Sequence, residues 1–218
     1  MKCAEIAAET KLGKLIAKTA GITLACLVAL ILILFGVFTI FFPSVMVEIT
    51  DFCGMEKASA RYAVSVYTRS NDIDDLADVV ERAYYAESWS IAADYGERLS
   101  AREDFGSYCE KADASANAKP GGYAQFTAGL IAVSQYKLGN NAEALEAALT
   151  PNRQSFTESN AAVTLAMTVI ADGDKDFASE ILGELRGLLE NINFDMEADI
   201  TNLETLISVV ESYCQSQA

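Results

Sequence analysis

Histidine is missing from all 218 residues. That absence removes Ser-His-Asp and Cys-His nucleophile machinery, histidine metal sites and the HExxH zinc motif together. No GxxxxGK[ST] run is present to cradle phosphate, and no GxGxxG turn to hold a dinucleotide. Proline is scarce, with three residues, so few positions can break a helix by force. The cysteines, Cys3, Cys26, Cys53, Cys109 and Cys214, lack paired spacing, and three of them lie beyond residue 48. An odd, scattered set excludes a disulfide framework. Free thiols are expected, with a Cys109–Cys214 bridge as the alternative. The sequence therefore predicts no catalytic residue, no cofactor and no metal site, and a chain that is not an enzyme.

Charge is missing from one block altogether. Between Lys18 and Glu48 there is none, and "GITLACLVALILILFGVFTIFF" (Gly21–Phe42) is almost pure hydrocarbon over 22 residues. As a helix it would be about 33 Å long, against a hydrocarbon core of about 30 Å. A transmembrane helix is predicted over residues 20–47, ending near Pro43. A cleaved signal peptide is the competing reading, but it expects an apolar region of about 7–15 residues and a small-x-small cleavage site, and "FFPSVMVEITD" offers no such site. Lys2, Lys11, Lys14 and Lys18 precede the block, whereas Glu48, Asp51 and Glu56 follow it before Lys57. The positive-inside rule then assigns residues 1–19 to a short cytoplasmic segment and 48–218 to an extracytoplasmic domain of a single-pass cell-membrane protein. Lys14 and Lys18 would snorkel to the headgroups.

Basic residues are scarce beyond the block. Four of the 16 Lys and Arg but only two of the 31 Asp and Glu precede residue 48, so residues 48–218 carry 12 against 29, a net of −17. Such a domain repels nucleic acid and anionic headgroups and favours basic partners, although solubility alone also explains an acidic surface.

Strand-like alternation is absent too, and the apolar spacing is helical nearly everywhere. Helices are predicted over 56–69, 72–86, 88–100, 102–113, 122–138, 141–150, 158–171, 174–191 and 195–216. Asn and Asp in "SNDIDD" (70–75) and "NFDMEAD" (193–199) suit helix N-caps, and Ser155 to Glu158 has the form of a capping box. "DASANAKPGG" (113–122) is the one long loop.

"LGNNAEALEAAL" (138–149) is echoed further on by "ADGDKDFASEIL" (171–182). Placing Gly139 on Gly173 also places Ala144 on Ala178, Ala132 on Ala166, Ile131 on Leu165 and Ala128 on Ala162 without a gap. On these residues the chain resembles the tetratricopeptide repeat family, whose unit, a helix–turn–helix of about 34 residues, has the length of that offset. Gly139 and Gly173 match the turn between paired helices, Ala144 and Ala178 the small residues that let the helices approach, and Pro151 a proline closing a repeat. In the earlier half, 67–83 and 92–112 keep the rhythm without a turn glycine, with Asp72 before Ala77 and Ala101 before Gly106. The resemblance implies an all-α fold, an antiparallel helix-hairpin array closed by the last helix through Ile200, Leu203, Leu206, Ile207 and Val210. It also implies a protein or peptide partner. Together with the anchor, the plan is similar to bacterial envelope proteins that carry a repeat domain outside one membrane helix and attend export or envelope assembly.

Two acidic clusters have a structural and a calcium reading. Asp172, Asp174 and Asp176 begin like a calcium loop, but Phe177 and Gly183 stand where glycine and glutamate belong, so an inter-helix turn is the better account. Asp195, Glu197 and Asp199 suit a helix N-terminus. Aromatics cluster in the first half, at Tyr62, Tyr67, Tyr84, Tyr85, Trp89, Tyr95 and Tyr108. Tyr62, Tyr67, Tyr85, Trp89, Tyr95 and Tyr136 are the candidate partner-binding groove, and packing between hairpins needs the same residues at the same spacing. The function expected is a membrane-anchored binding or scaffold module. The alternative is an oligomerising subunit acting through the phenylalanine face of the membrane helix, Phe35, Phe38 and Phe42.

Overall fold

Pro43 sets the first boundary. The computed structural model of the chain describes residues 2–153, 156–191 and 197–216, with side chains for residue 16, 18–151 and the later described ranges. Ser155 of the expected capping box, Asn193 and Asp195 of the acidic run, and the side chain of Lys14 lie outside them. Helix α1, Lys2–Phe41, is followed after one residue by α2, Pro43–Phe52. Proline has no N–H and suits the first turn of a new helix, and Phe42 departs from helical geometry at φ −132°, ψ 61°. The ladder bends here: Phe42 N–H still donates to the Phe38 carbonyl (2.9 Å), and Met46 N–H to that of Phe42 (3.2 Å). The apolar element thus ends at Phe41, and residues up to 47, which the spacing joined to it, belong partly to α2, which buries Pro43, Met46, Val47 and Thr50.

Within α1, Lys18–Phe41 has 24 residues, and an 18-residue stretch of it has mean hydropathy 3.0 with no share buried in the chain. Its length of about 36 Å is enough to cross a bilayer. An apolar helix that touches the packed domain only at its C-terminal end is not a core helix.

The remaining helices are α3 Glu56–Ser70, α4 Ile73–Tyr85, α5 Trp89–Ser100, α6 Phe105–Asp113, α7 Tyr123–Lys137, α8 Asn141–Leu149, α9 Ala161–Asp172, α10 Lys175–Asn191 and α11 Glu197–Gln215. The described residues contain no strand. Helices adjacent in sequence pack on one another, except that α6 is an outlier and α5 packs directly on α7. Where prediction and structure differ at helix starts, a local bond explains it. The start at 158 moves to Ala161 because Asn160 takes the N-cap, its Oδ1 accepting from Val163 N–H (2.9 Å). The start at 102 moves to Phe105 because Arg102 turns out to pair with Asp104 (2.7 Å).

One turn is built four times. At Gly54, Glu87, Gly139 and Gly173 the backbone is left-handed, with φ of 68°, 53°, 83° and 80°. Each of these residues donates to the carbonyl three residues back, at Asp51, Tyr84, Tyr136 and Ile170 (2.9–3.1 Å). The following residue donates five back, to Thr50, Ala83, Gln135 and Val169 (2.8–3.2 Å). This paired pattern is the Schellman motif, which satisfies the last carbonyls of a helix. Five positions after each turn residue stands a small buried one, Ser59, Ala92, Ala144 and Ala178, exposed by 2% or less. Eight positions before each turn the register gives Met46, Val79, Ile131 and Leu165, all buried. The hairpins are therefore α2–α3, α4–α5, α7–α8 and α9–α10.

This moves the register expected for the first half. Asp72 does not lie in a hairpin turn but N-caps α4 in the link between two hairpins, accepting from Asp74 N–H (2.8 Å). Ala101 and Gly106 flank the break between α5 and α6. Gly54 and Glu87 stand 33 residues apart and Gly139 and Gly173 34, whereas the step from Glu87 to Gly139 is 52. That surplus in the middle is occupied by α6 and the loop leading to α7.

The core follows the array. Ala144, Ala148, Ala162, Ala166, Phe177, Ile181 and Leu185 form one cluster with Leu203, Leu206, Ile207 and Val210 of α11, while Ile200 packs at its edge. The last helix thus covers an apolar face that the fourth hairpin would otherwise leave open, the need every stacked array has at its end. Phe156, fully buried in the same cluster, lies in the link before α9. Each junction between hairpins also carries a polar staple: Arg82–Asp51 (2.5 Å), Gln135–Glu97 (2.6 Å), Lys137–Asp172 and, to α11, Arg186–Glu211 (2.9 Å).

Candidate partner-binding groove

The six aromatic candidates separate into three places. Tyr67 and Tyr95 meet edge to face at 6.0 Å and pack, with Tyr62, around Val79. The Tyr62 hydroxyl also lies 3.5 Å from Thr39 Oγ1 at the end of α1. Arg69, from the end of α3, donates to the carbonyls of Ile40 and Phe41, which occupies acceptors at the C-terminus of α1 and ties the first hairpin to the apolar helix.

Tyr84 sits edge-on to both Tyr85 (5.5 Å) and Trp89 (5.6 Å). Tyr85 is 63% exposed, beside Lys57, Arg61 and Glu87. Tyr136 is far along the array, stacked on Phe177 at 5.3 Å. Partial burial, with Asp172 and Asp174 close by, pushes its phenol up to about 12. Tyr62, Tyr67 and Tyr95 are thus brought together, Tyr85 and Trp89 share a second site, and Tyr136 belongs to a third. Gly139, Ala144, Gly173 and Ala178 occupy the repeated turn and its packing position.

The first acidic cluster has jobs within the fold. Asp174 N-caps α10, accepting from Phe177 N–H (3.0 Å), and Asp172 pairs with Lys137. No group of three metal-capable side chains occurs among the described residues. Cys26, Cys53, Cys109 and Cys214 are free thiols. Cys109 is buried against α4 and α7, and burial pushes its thiol up to about 11, with Asp113 adding to the shift. Such a thiol stays protonated and unreactive at neutral pH.

Two hollows escaped the sequence reading. The first, about 520 Å³, lies between α4, α6 and α7. Glu81 dominates it, accepting from the Tyr123 hydroxyl (3.1 Å) and from Lys119 Nζ (2.9 Å). Tyr108 meets the Tyr123 ring edge-on at 5.1 Å, and Asp113 Oδ1 accepts from Tyr123 N–H (2.7 Å). Burial, then the Glu81 charge, raises the Tyr123 phenol far above its usual range. These bonds pin the inserted segment to the array, with Glu81 and Lys119 paired to each other.

The second hollow, about 660 Å³, runs over α7 between α5 and α8. Its floor is Ala124, Ala128 and Ile131, spaced so that they share one face of α7. Phe105, brought by α6, and Pro151, after α8, add apolar surface. The walls carry Glu97 from α5 and Glu143 and Glu146 from α8, and among the described side chains no Lys or Arg lines the groove. Among the described residues no ion pair engages Glu143 or Glu146, both exposed. An apolar floor under uncompensated carboxylates can bury hydrocarbon and attract cations at once. The spacing of Ala124, Ala128 and Ile131, and of Glu143 and Glu146, is visible in the sequence; which face of α7 lies open depends on how α5 and α8 pack.

No family model, curated protein or solved structure matches the chain.

Proposed function

We propose that this chain is a single-pass, membrane-anchored interaction module. In this reading residues 18–41 hold it in the membrane, the segment before them faces the cytoplasm, and a divergent tetratricopeptide-like array stands on the other side to bind a protein or peptide partner. It acts without a cofactor and is not an enzyme. The observation that carries the reading is the fourfold turn, with its left-handed residue, its paired hydrogen bonds and its small buried residue five positions on. Stacked hairpins of one register present an extended continuous surface, which is what repeat arrays use to engage partners. The bend at Phe42 and the bonds from Arg69 hold that surface close to the membrane, where attendance on export or envelope assembly would place it. The test is photo-crosslinking in native membranes, with the crosslinker at Tyr85, Trp89, Tyr136 and Ala124 in turn. One adduct recurring from neighbouring positions and absent from Ser216 supports the module; adducts from no position of the array overturn it.

One observation favours a second reading, an oligomerising subunit. Phe35, Phe38 and Phe42 continue beyond the bend as Val45, Ile49 and Phe52, all exposed, Phe52 by 93%. Spacings of three and four residues are those of a helix–helix seam, and a second copy is the occupant it suits. Exchange of residues 20–41 for an unrelated apolar helix separates the readings, because only the oligomer would then dissociate.

A further inference from the structure

We infer that the groove over α7 receives an amphipathic helix of a partner protein, apolar along one side and bearing Lys or Arg beside that stripe. The inference rests on the partner-binding reading and names the chemistry of the partner. Ala124 to Ile131 covers about 10 Å of α7, so the floor matches about two turns of a second helix laid against it. Alanines at Ala124 and Ala128 project little, so that another backbone approaches closely and fills the hollow with its own side chains. The part of this floor still open, Ala124 and the half-buried Ala128, would bury hydrocarbon at about 25 cal/mol per Å².

Charge decides the sign of the partner. Glu97 stands on one wall and Glu143 and Glu146 on the other, so a helix lying between them meets carboxylate on both flanks. Residues 48–218, with 12 cations and 29 anions, repel an acidic partner at long range and steer a basic one inward. A second copy of the array is a poor occupant for the same reason. The lysines of this chain's own N-terminal segment, Lys2 to Lys18, sit at the far end of the apolar helix from the array.

The experiment uses the full chain in lipid nanodiscs and a fluorescent peptide of roughly four helical turns, Leu along one face and Lys on the other, with a Leu/Glu peptide as the counter-probe. Anisotropy is expected to show saturable binding of the Leu/Lys peptide that weakens with salt. The double variant Glu143→Lys with Glu146→Lys is expected to weaken it about tenfold or more, and Ala128→Trp, which fills the floor, to weaken it similarly. The same charge change off the groove, Glu180→Lys with Glu184→Lys on α10, should alter it less than about threefold. All four glutamates are exposed, so these variants keep the fold. Equal losses from the two double variants would overturn the inference, since general attraction to an acidic surface then suffices. Binding of the Leu/Glu peptide, or no binding of the Leu/Lys peptide, would overturn it as well. Failure here is distinct from failure of the module: crosslinks from Tyr85 or Tyr136 with no groove binding leave the module and remove the groove, and groove binding without a membrane partner does the reverse.

Discussion

The first two hairpins and the last two reach the same backbone by different side chains. In the last two, the turn residue is glycine twice, the small packing residue is alanine twice, and the helix before the turn carries Ala132 and Ala166 at one position. In the first two, the turn residue is Gly54 and then Glu87, the small residue Ser59 and then Ala92, and the position of Ala132 and Ala166 holds Val47 and Val80. What each column shares is a size, a burial or a sign of φ. The residue type is free wherever another one meets the same demand.

The largest test of that equivalence lies in the column eight residues before each turn. Met46→Ala in the first hairpin and Leu165→Ala in the last both empty a site that is 1% exposed, and each should cost about 2–5 kcal/mol. Urea denaturation of the two variants is the measurement. A near-zero effect of Met46→Ala would mean that α2 belongs to the apolar helix and only rests on the array.

Next in size are the turns. Gly139→Ala has open space around the new Cβ, so its cost is the left-handed backbone alone, about 1–2 kcal/mol. Glu87 already bears that strain at φ 53°, so Glu87→Gly should stabilise by about 0.5–1 kcal/mol, the relief being offset partly by glycine's entropy in the unfolded chain. Opposite signs at equivalent positions are the expected outcome of thermal melts. Equal signs would break the claim that these are one turn.

Ser134 offers a smaller contrast within the third hairpin. Its hydroxyl is fully buried without a hydrogen-bond partner among the described residues, a condition that costs about 1 kcal/mol. Ser134→Ala should therefore raise stability by about that amount, read as a shift of the urea midpoint. No such gain is expected from Thr50→Ala, since the Thr50 hydroxyl donates to the Met46 carbonyl at 2.7 Å.

The same contrast explains what was legible. Helices from residue 56 onward follow from apolar period, to the residue at Glu56 and Asn141 and within one at Lys175, where the Asp174 cap decides the end. The shared turn was legible at Gly139 and Gly173, where identity and geometry coincide. It was hidden at Glu87, where a non-glycine residue takes a left-handed turn, and at Gly54, which lies against the apolar block and has no matching glycine one repeat further on. The groove was hidden for another reason: Glu143 and Glu146 look like any solvated face until the packing of α5 and α8 on α7 leaves the Ala124–Ile131 face between them.

The smallest effect concerns the staple between the first two hairpins. Asp51 of α2 is held below the usual carboxylate range by the Ser59 hydroxyl and then by the Arg82 guanidinium, with Arg82 also reaching Ser59 (3.1 Å) and Asp78. A carboxyl whose folded pKa is depressed contributes stability that is present above its unfolded value, about 3.9, and is lost as pH falls through the folded one. Both side chains are well hydrated, at 30% and 43% exposed, so the contribution is about 0.2–1 kcal/mol. Asp51→Asn should thus cost a few tenths of a kcal/mol near pH 7, and that deficit should vanish once the pH has fallen below the depressed folded pKa, where the wild-type carboxyl is protonated too. The Lys137–Asp172 staple of the last two hairpins provides the comparison. Asp172→Asn measured across the same range shows whether the two junctions respond to acid alike; a deficit for Asp51→Asn that stays constant with pH would assign the Asp51 bond to geometry and remove its charge from the account.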